Sequence, residues 1–458
     1  MYLELIVGFL DDYNYETGNK YNVFLDKDKR QYIVHLKEEY IKYLPLIREI
    51  AKDFPKIENK SFLTSTDFKN FYESNLEKIK EVLKEKDILE NSSLDIAELI
   101  FWESLNLSRI APFFYDDKLD EIYIIGEDSN IYVNHNKLGN LKTDIALSHI
   151  EISSFIRFLE FVKGEGLYST GGILEVDINH EKFHFRILID SPSLTYGDFV
   201  FCIRNLRRFY YNLKRLIEIE SISPEVLSIL LIATYLRMNI IIAGPPNSGK
   251  TTLMNALVSM LPNFIRKISI EDAKEIIDTR RRGNHIVFYR SSGLTRFSKR
   301  EQVQFTLRRS PEYLIIGETL TEEDTETLFY SLSMGLNVIT TIHAYSIDSL
   351  IRRWLLYEGV EENALKDLDL IVVMEKEFEH NIRKVQGVYE IIEDSSNISY
   401  KKLPNKYNGL DNSRYINKVA NKLSITHEEA IKLYYNILNS IKGGTIPTYS
   451  EFLSLTRR

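Results

Sequence analysis

The chain has 458 residues, which is longer than one ordinary domain, so we expect two or three domains. Hydrophobic residues make up 44% of it and charged residues 27%, a composition that excludes disordered and fibrous proteins. The net charge of −8 argues against a protein that coats nucleic acid, and the single cysteine excludes a disulfide within the chain and a zinc site built from cysteines.

The first 95 residues are rich in Lys, Glu, Tyr and Asn, and their opening stretch lacks the basic segment and the long apolar run of a signal peptide. Leu76, Ile79 and Val82 recur at helical spacing, so we predict a helical accessory region over residues 1–95. Residues 96–205 contain short runs bounded by Gly, Asn or Asp. These predict a small α+β domain with an antiparallel sheet, whose strands lie in LDEIYIIG, NIYVNH, GILEVDI, KFHFRILID and DFVFCIRNL.

Residues 206–222 lack strand alternation and are predicted to be a linker, which ends before Ser223, a helix cap, and Pro224. From residue 223 to 458 strands and helices alternate, as is typical of an α/β domain with a largely parallel sheet. A strand pair and a helical tail, with Thr426 as a cap, follow residue 375. Four strands are predicted at residues 239–243, 266–270, 313–316 and 337–341.

The apolar stretch VLSILLIATYLRMNIIIAG is the longest in the sequence, and Arg237 and Asn239 interrupt it. We therefore expect no membrane span. A cytoplasmic protein is predicted.

The segment GPPNSGKT matches the phosphate-binding pattern G-x-x-x-x-G-K-[ST] and lies between a predicted strand and a predicted helix. Two glycines allow a tight loop whose N–H groups converge on phosphate oxygens, with the helix N-terminus adding positive charge. The lysine would contact the β- and γ-phosphates of ATP, and the threonine hydroxyl would reach Mg²⁺. The predicted nucleotide-binding residues are Gly244, Pro245, Asn247, Ser248, Gly249, Lys250, Thr251 and Thr252.

Acidic residues and a histidine follow three other predicted strands. In SPEYLIIGETLTEED the acid is Glu318, and a charge at the end of a core strand is costly unless a cation pairs with it. Together with the phosphate loop, this predicts that Glu318 supports Mg²⁺. Glu271 and Asp272 end the strand in ISIEDAKEI, where one acid can activate water, although Asp272 also suits the first turn of a helix. His343 reaches the same rim.

In chain order, the phosphate loop and the stretches that carry Glu271, Glu318 and His343 resemble the secretion ATPases of type II and type IV secretion, type IV pili and archaeal surface filaments. The resemblance covers about residues 110–400. That family has an aspartate box like ISIEDAKEI, then L-R-x-x-P-x-x-I-x-x-G-E, here LRRSPEYLIIGE, and a histidine box ending T-x-H-A, here SMGLNVITTIHA. The resemblance implies a RecA-like ATPase domain. It also implies that Glu271 activates water and that His343 senses the γ-phosphate or assists its hydrolysis.

Two arginines of the smaller domain align with nucleotide-reaching arginines of the family, namely Arg186 in KFHFRILI and Arg204 in FVFCIRNL. The alternative is that each only pairs with a surface acid. The chain departs from the family at Leu320, where Arg is usual, and at Leu336, where His is usual. The arginine and histidine that are missing here make intersubunit polar contacts in relatives, so we do not expect those contacts in this chain. The phosphate, metal and water positions are unaffected.

IYVNHNKLGNLKTDI and the segment before the phosphate loop resemble the archaeal branch of the family. The resemblance implies a homo-hexamer that uses ATP and Mg²⁺ at the inner face of the membrane. It also implies a polytopic platform protein as partner and indirect action on pilin subunits, with nucleic acid not expected as a partner. Two alternatives stay open, a DNA-translocating conjugation ATPase and a nucleotide-regulated membrane scaffold.

Overall fold

The computed structural model describes residues 14–54, 68–86, 88, 90–206, 212–272, 274–291, 297–377, 382–394, 397–404 and 410–456. The chain divides into two compact units, Met1–Arg208 and Phe209–Arg458. The division lies within the predicted linker, residues 206–222.

The first unit consists of strands and helices in the order β1 (Asn14–Thr17), β2 (Tyr21–Asp26), β3 (Gln31–Leu36), α1 (Glu38–Ile41), α2 (Leu44–Ala51), α3 (Phe68–Glu85), α4 (Glu90–Ser104), α5 (Ala111–Tyr115), β4 (Leu119–Ile125), β5 (Asn130–His135), β6 (Gly139–Ala146), α6 (His149–Lys163), β7 (Ile173–His180), β8 (Phe183–Asp190) and β9 (Val200–Asn205). Within the described residues these strands form one sheet in the order β1-β2-β3-β6-β5-β4-β9-β8-β7. Strand β3 pairs with β6 in parallel, and the other neighbours are antiparallel.

The helical prediction for residues 1–95 is wrong for residues 14–36, which form β1, β2 and β3. Tyr21, Val23 and Leu25 are buried at alternate positions, which is the period of a strand. The turn between β2 and β3 is rich in Lys, so the composition of this region gave no sign of the strand period. Because β3 pairs with β6, the predicted accessory region and the predicted α+β domain share one sheet.

Buried hydrogen bonds tie the N-terminal strands to the rest of the first unit. The hydroxyls of Tyr15 and Tyr32 each donate to Asp116 Oδ2 at 2.7 Å. Burial raises the pKa of Asp116, while these two donors favour its charged form. The carboxyl group therefore joins β1 and β3 to the end of α5.

The second unit contains α7 (Leu213–Glu218), α8 (Pro224–Tyr235), β10 (Ile240–Gly244), α9 (Lys250–Val258), β11 (Lys267–Glu271), β12 (Ile286–Arg290), α10 (Lys299–Leu307), β13 (Tyr313–Thr319), α11 (Glu322–Ser333), β14 (Val338–His343), α12 (Ile347–Leu356), β15 (Leu370–Lys376), β16 (Arg383–Asp394), β17 (Asn397–Leu403), α13 (Arg414–Leu423), α14 (His427–Lys442) and α15 (Tyr449–Thr456), with 3₁₀ turns at Arg280–Arg282 and Glu362–Asp367. Among the described residues the sheet order is β12-β11-β13-β14-β10-β15-β16-β17. The first six strands are parallel, and β16 and β17 are antiparallel additions.

Helices cover both faces of the second sheet, which explains the continuous apolar runs of its strands. Ile240 and Ile242 of β10 belong to one hydrophobic cluster, and Ile241 and Ala243 belong to the cluster on the opposite face. Helix α7 lies within the predicted linker, yet its buried leucines are part of the core of this unit. The linker prediction is therefore wrong for α7.

The longest apolar stretch of the sequence is divided between α8 and β10, consecutive elements of the second unit. Helix α8 begins at Pro224, and the Ser223 side chain accepts a hydrogen bond from the Val226 N–H as the predicted cap. In the part of the chain that the structure describes, no helix is long and apolar enough to cross a membrane.

Candidate nucleotide-binding site

The ends of four parallel strands carry the predicted site residues of the second unit. Strand β10 ends at Gly244, β11 at Glu271 and β14 at His343, and β13 carries Glu318 next to its last residue. The carboxyl ends of parallel strands share one rim of a sheet. Strand β14 lies between β10 and β13 and pairs Gly244 with His343. The histidine thus stands between the phosphate loop and the acid of β13.

The loop between β10 and α9 has the geometry that its glycines predict. A Cβ on Gly244 would lie 2.5 Å from Ser248 Oγ and 2.9 Å from Met374 Cβ, so a larger residue does not fit. Gly249 has a φ of +91° and precedes α9, which begins at Lys250. The N–H groups at the start of this helix can bind an anion together with the loop.

Lys250 connects the loop to the histidine. Its buried ammonium group donates to the carbonyls of Gly244 at 3.2 Å and Pro245 at 3.0 Å, and it lies 3.2 Å from His343 Nδ1. Because an ammonium can only donate, Nδ1 must accept, which leaves the proton of a neutral ring on Nε2. His343 Nε2 lies 2.8 Å from Glu318 Oε1. One imidazole therefore bridges the loop lysine and the acid of β13.

Glu318 follows an irregularity in its strand. The pairing of β13 with β14 shifts register between Ile316 and Glu318, and the Thr341 hydroxyl donates to the carbonyl of Gly317 at 2.9 Å. A bulge of this kind re-aims the side chain that follows it. The Glu318 side chain is 29% exposed, so it remains accessible from the rim.

Glu271 is 4% exposed and is held by three hydrogen bonds. The Ser269 hydroxyl donates to Oε1 at 2.6 Å, and the N–H groups of Glu275 and Ile276 donate to Oε2 at 2.6 and 2.8 Å. Burial raises the pKa of Glu271, although these donors oppose the shift. A carboxylate with a raised pKa and a fixed orientation is suited to accept a proton.

Asp272, the alternative acid, forms an ion pair. Its Oδ2 lies 2.9 Å from the Lys299 ammonium, and its Oδ1 accepts from the Ser291 hydroxyl at 2.7 Å. The described residues 274–279 form no helix, so the alternative interpretation of Asp272 as a first-turn acid is wrong.

Glu275 belongs to the site, although we did not predict it from the sequence. The Thr251 hydroxyl donates to Glu275 Oε2 at 2.9 Å, and the Asn255 amide donates to the Glu275 carbonyl at 3.0 Å. A signal was present, since Glu271, Asp272 and Glu275 give three acids in five residues after an apolar strand.

The donor set fits a magnesium ion that also takes phosphate oxygens. Magnesium prefers hard oxygen ligands, keeps several waters and needs one or two protein groups beside the phosphates. The Thr251 hydroxyl and the Glu318 carboxylate are such oxygens. Among the described residues, no group of three or more His, Cys, Asp or Glu side chains is placed to hold a metal by itself.

In the first unit, each of the two predicted arginines pairs with a carboxylate of its own sheet. Arg186 and Arg204 lie opposite each other on β8 and β9. Arg186 Nε is 3.4 Å from Glu175 Oε1, and Arg204 donates from Nε and Nη2 to Glu121 Oε1 at 3.1 and 3.0 Å. Both arginines line a shallow pocket of about 180 Å³. Both ion pairs agree with the alternative that each arginine only pairs with an acid of its own domain. A role of the two arginines in nucleotide binding stays a prediction.

The parallel sheet of the second unit, its phosphate loop and the carboxylates at the ends of β11 and β13 define a phosphate-loop nucleotide-binding domain. The model of the family described as "Type II/IV secretion system protein" matches residues 115–389, more than half of the chain. The chain therefore belongs to this family. The family prediction made from the four sequence stretches is confirmed.

Individual relatives align over shorter ranges. An uncharacterised protein of Methanocaldococcus jannaschii is 36% identical over 142 residues, covering 30% of this chain and 52% of the relative. VirB11 of Agrobacterium tumefaciens is 30% identical over 162 residues, which cover 34% of this chain and 47% of that relative. The alignments thus span about half the length of these curated relatives. The crystal structure of the pilus retraction motor PilT with ADP is similar at 16% identity and a TM-score of 0.44, covering 76% of this chain and 96% of that one.

Proposed function

We propose that this protein is a Mg²⁺-dependent ATP hydrolase. The observation that carries the proposal is the connected arrangement of Lys250, His343 and Glu318 at the end of the phosphate-loop strand. Bound Mg²⁺ would neutralise charge on the transferring phosphoryl oxygens. Thr251 and Glu318 are the residues that would hold it.

The remaining residues have separable roles in this proposal. Lys250 exchanges its contacts with the Gly244 and Pro245 carbonyls for phosphate oxygens, which also releases His343 Nδ1. His343, whose Nε2 faces Glu318, then senses whether a γ-phosphate is bound. Glu271, oriented by its three donors, takes the proton of the attacking water.

Membership of the secretion family supports the wider assignment. The protein would work as a homo-hexameric ring on the cytoplasmic face of the membrane and act on a polytopic platform protein. ATP-driven domain movement would add pilin subunits to an archaeal type IV pilus-like filament. The match to Methanocaldococcus jannaschii sequences supports the archaeal branch.

The experiment is a steady-state ATPase assay with parallel binding of fluorescent ADP. Lys250→Ala should lose tight nucleotide binding, because the loop loses its ammonium. Glu271→Gln keeps the shape of the side chain and should bind nucleotide while its turnover falls by about 10² to 10⁴. A wild-type protein that binds ATP and does not hydrolyse it, alone or with membrane partners, would overturn the proposed activity.

The ring is tested through Arg204. If Arg204 reaches a neighbouring subunit, Arg204→Ala should bind ATP and turn over poorly, and mixing it with Lys250→Ala subunits should restore activity at mixed interfaces. The assay scans mixing ratios, with subunit exchange followed separately by fluorescence transfer. Activity that never exceeds the sum of the two variants, despite exchange, would place the action of Arg204 within its own chain.

A further inference from the structure

Lys299 is a buried lysine outside the residues to which the proposed activity assigns a role. It is the first residue of α10 and is 7% exposed. Its ammonium group lies 2.9 Å from Asp272 Oδ2, 2.9 Å from Asp324 Oδ1 and 2.9 Å from the Glu318 carbonyl. Three N–H donors thus meet three acceptors, the arrangement that a desolvated ammonium requires.

Two of the three acceptors, Asp272 and the Glu318 carbonyl, lie where backbone pairing between the two acidic strands ends. The ladder between β11 and β13 runs from Lys267–Tyr313 to Ile270–Ile316. Glu271, which ends β11, Asp272, which follows it, and Glu318 of β13 lie beyond the last pair of this ladder. Lys299 connects the two strands beyond their last backbone pair, because it binds the Asp272 side chain after β11 and the Glu318 carbonyl of β13.

The third acceptor extends the bridge to the next helix. Asp324 Oδ2 accepts from the N–H groups of Leu320 at 2.9 Å and Thr321 at 3.2 Å, so it fixes the turn that follows β13. Asp324 also completes the capping box of α11. Lys299 therefore holds the Glu318 carbonyl and, through Asp324, the turn that follows it.

We propose that Lys299 is a positioning residue for hydrolysis, which keeps the strand ends that carry Glu271 and Glu318 at a fixed separation. The inference rests on the proposed ATPase function. Gly317 shows how close that separation is, because a Cβ there would lie 3.0 Å from Glu271 Cγ. Without the ammonium, the carboxylates of Asp272 and Asp324 lose their shared cation and repel each other, so the strand ends separate.

The test compares Lys299→Met with wild type by ATP turnover and by fluorescent ADP affinity. We expect kcat to fall by about tenfold or more, while the Kd for ADP stays within about threefold, since the phosphate loop is unchanged. Lys267→Met is the matched control. Lys267 is a lysine of 1% exposure at the opposite end of β11, where it donates to the Pro262 carbonyl at 2.9 Å. Its kcat per folded molecule should equal that of wild type.

A second variant keeps the test decisive if Lys299→Met folds poorly. Asp272 is 42% exposed, so Asp272→Asn should fold, and it removes one carboxylate from the ammonium. If Lys299 acts through Asp272, the kcat losses of Asp272→Asn and Lys299→Met will not add in the double variant. Fully additive losses, or a Lys299→Met kcat within about threefold of wild type, overturn the inference. If wild type itself lacks turnover, the proposed function fails instead.

Discussion

Replacing Gly317 by alanine tests whether the close approach of β13 to Glu271 matters for hydrolysis. The added Cβ would lie 3.0 Å from Glu271 Cγ and 3.4 Å from its Cβ. The first distance is about 0.4 Å shorter than an ordinary van der Waals contact, so one of the two strand ends must move. Movement of Glu271 would lengthen the hydrogen bonds that its carboxylate accepts from Glu275 and Ile276.

The structure sets the expected size of this effect. Overpacking of one methyl group in a tight core costs about 1–3 kcal/mol, so the free energy of unfolding should fall by that amount. A displaced carboxylate should lower kcat by about 10- to 100-fold. In the proposed site, nucleotide affinity depends on the Lys250 loop, so it should change by less than about threefold.

Denaturant unfolding, steady-state ATP turnover and fluorescent ADP binding measure the three quantities. Gly166→Ala is a matched control, because a Cβ there would meet Ser169 Oγ at 3.5 Å and Glu160 Oε1 at 3.7 Å, which are ordinary contacts. It should leave all three quantities unchanged. If Gly317→Ala behaves like this control, the spacing between the strands does not limit catalysis and the reasoning is wrong.

Three further predictions concern the acids at the rim and a buried lysine. Glu318→Gln should bind nucleotide but turn over about 10²-fold more slowly, because the proposed Mg²⁺ ion loses a negatively charged ligand. Measuring kcat at increasing Mg²⁺ concentrations checks this expected loss. Glu275→Ala should raise the Mg²⁺ concentration for half-maximal activity by about tenfold, because the Thr251 hydroxyl loses its acceptor; an unchanged Mg²⁺ requirement would refute that role. Burial lowers the pKa of Lys267 from 10.5 to about 8, so the unfolded chain binds more protons between these values and stability should rise with pH there. Relative to Lys267→Met, the unfolding free energy of wild type should gain about 3 kcal/mol from pH 8 to 10.5, and parallel curves would contradict the shift.

The strands of the second unit could be predicted because their signals are local. The run YLII is apolar on both faces, and Glu318, which marks the rim, follows it by two positions. The observed strands begin within one residue of the predicted starts. The far ends differ by more, since β13 continues through its bulge to Thr319, three residues past its predicted end.

The missed features depend on contacts between residues distant in sequence. Strand β3 is short, and its place in the first sheet depends on parallel pairing of Gln31 and Tyr32 with β6. Lys299 stands in the polar segment SKREQ, which by composition resembles an exposed helix start. Its burial follows from Asp272, which comes after β11, and Asp324 of α11, and no short sequence window contains these two acids together with Lys299.

Lys299 also gives a physical account of the departure at Leu320. The family resemblance of the sequence implies an arginine there, two residues after the acid of this strand, whereas Leu320 is 54% exposed. Asp324 is 8% exposed, and a buried carboxylate next to that turn needs a cation. In this chain α10 supplies it, because Lys299 binds one oxygen of Asp324 while the other oxygen accepts from the Leu320 N–H. The positive charge beside Glu318 therefore comes from a neighbouring helix, and the turn itself is left with an apolar, solvent-facing residue.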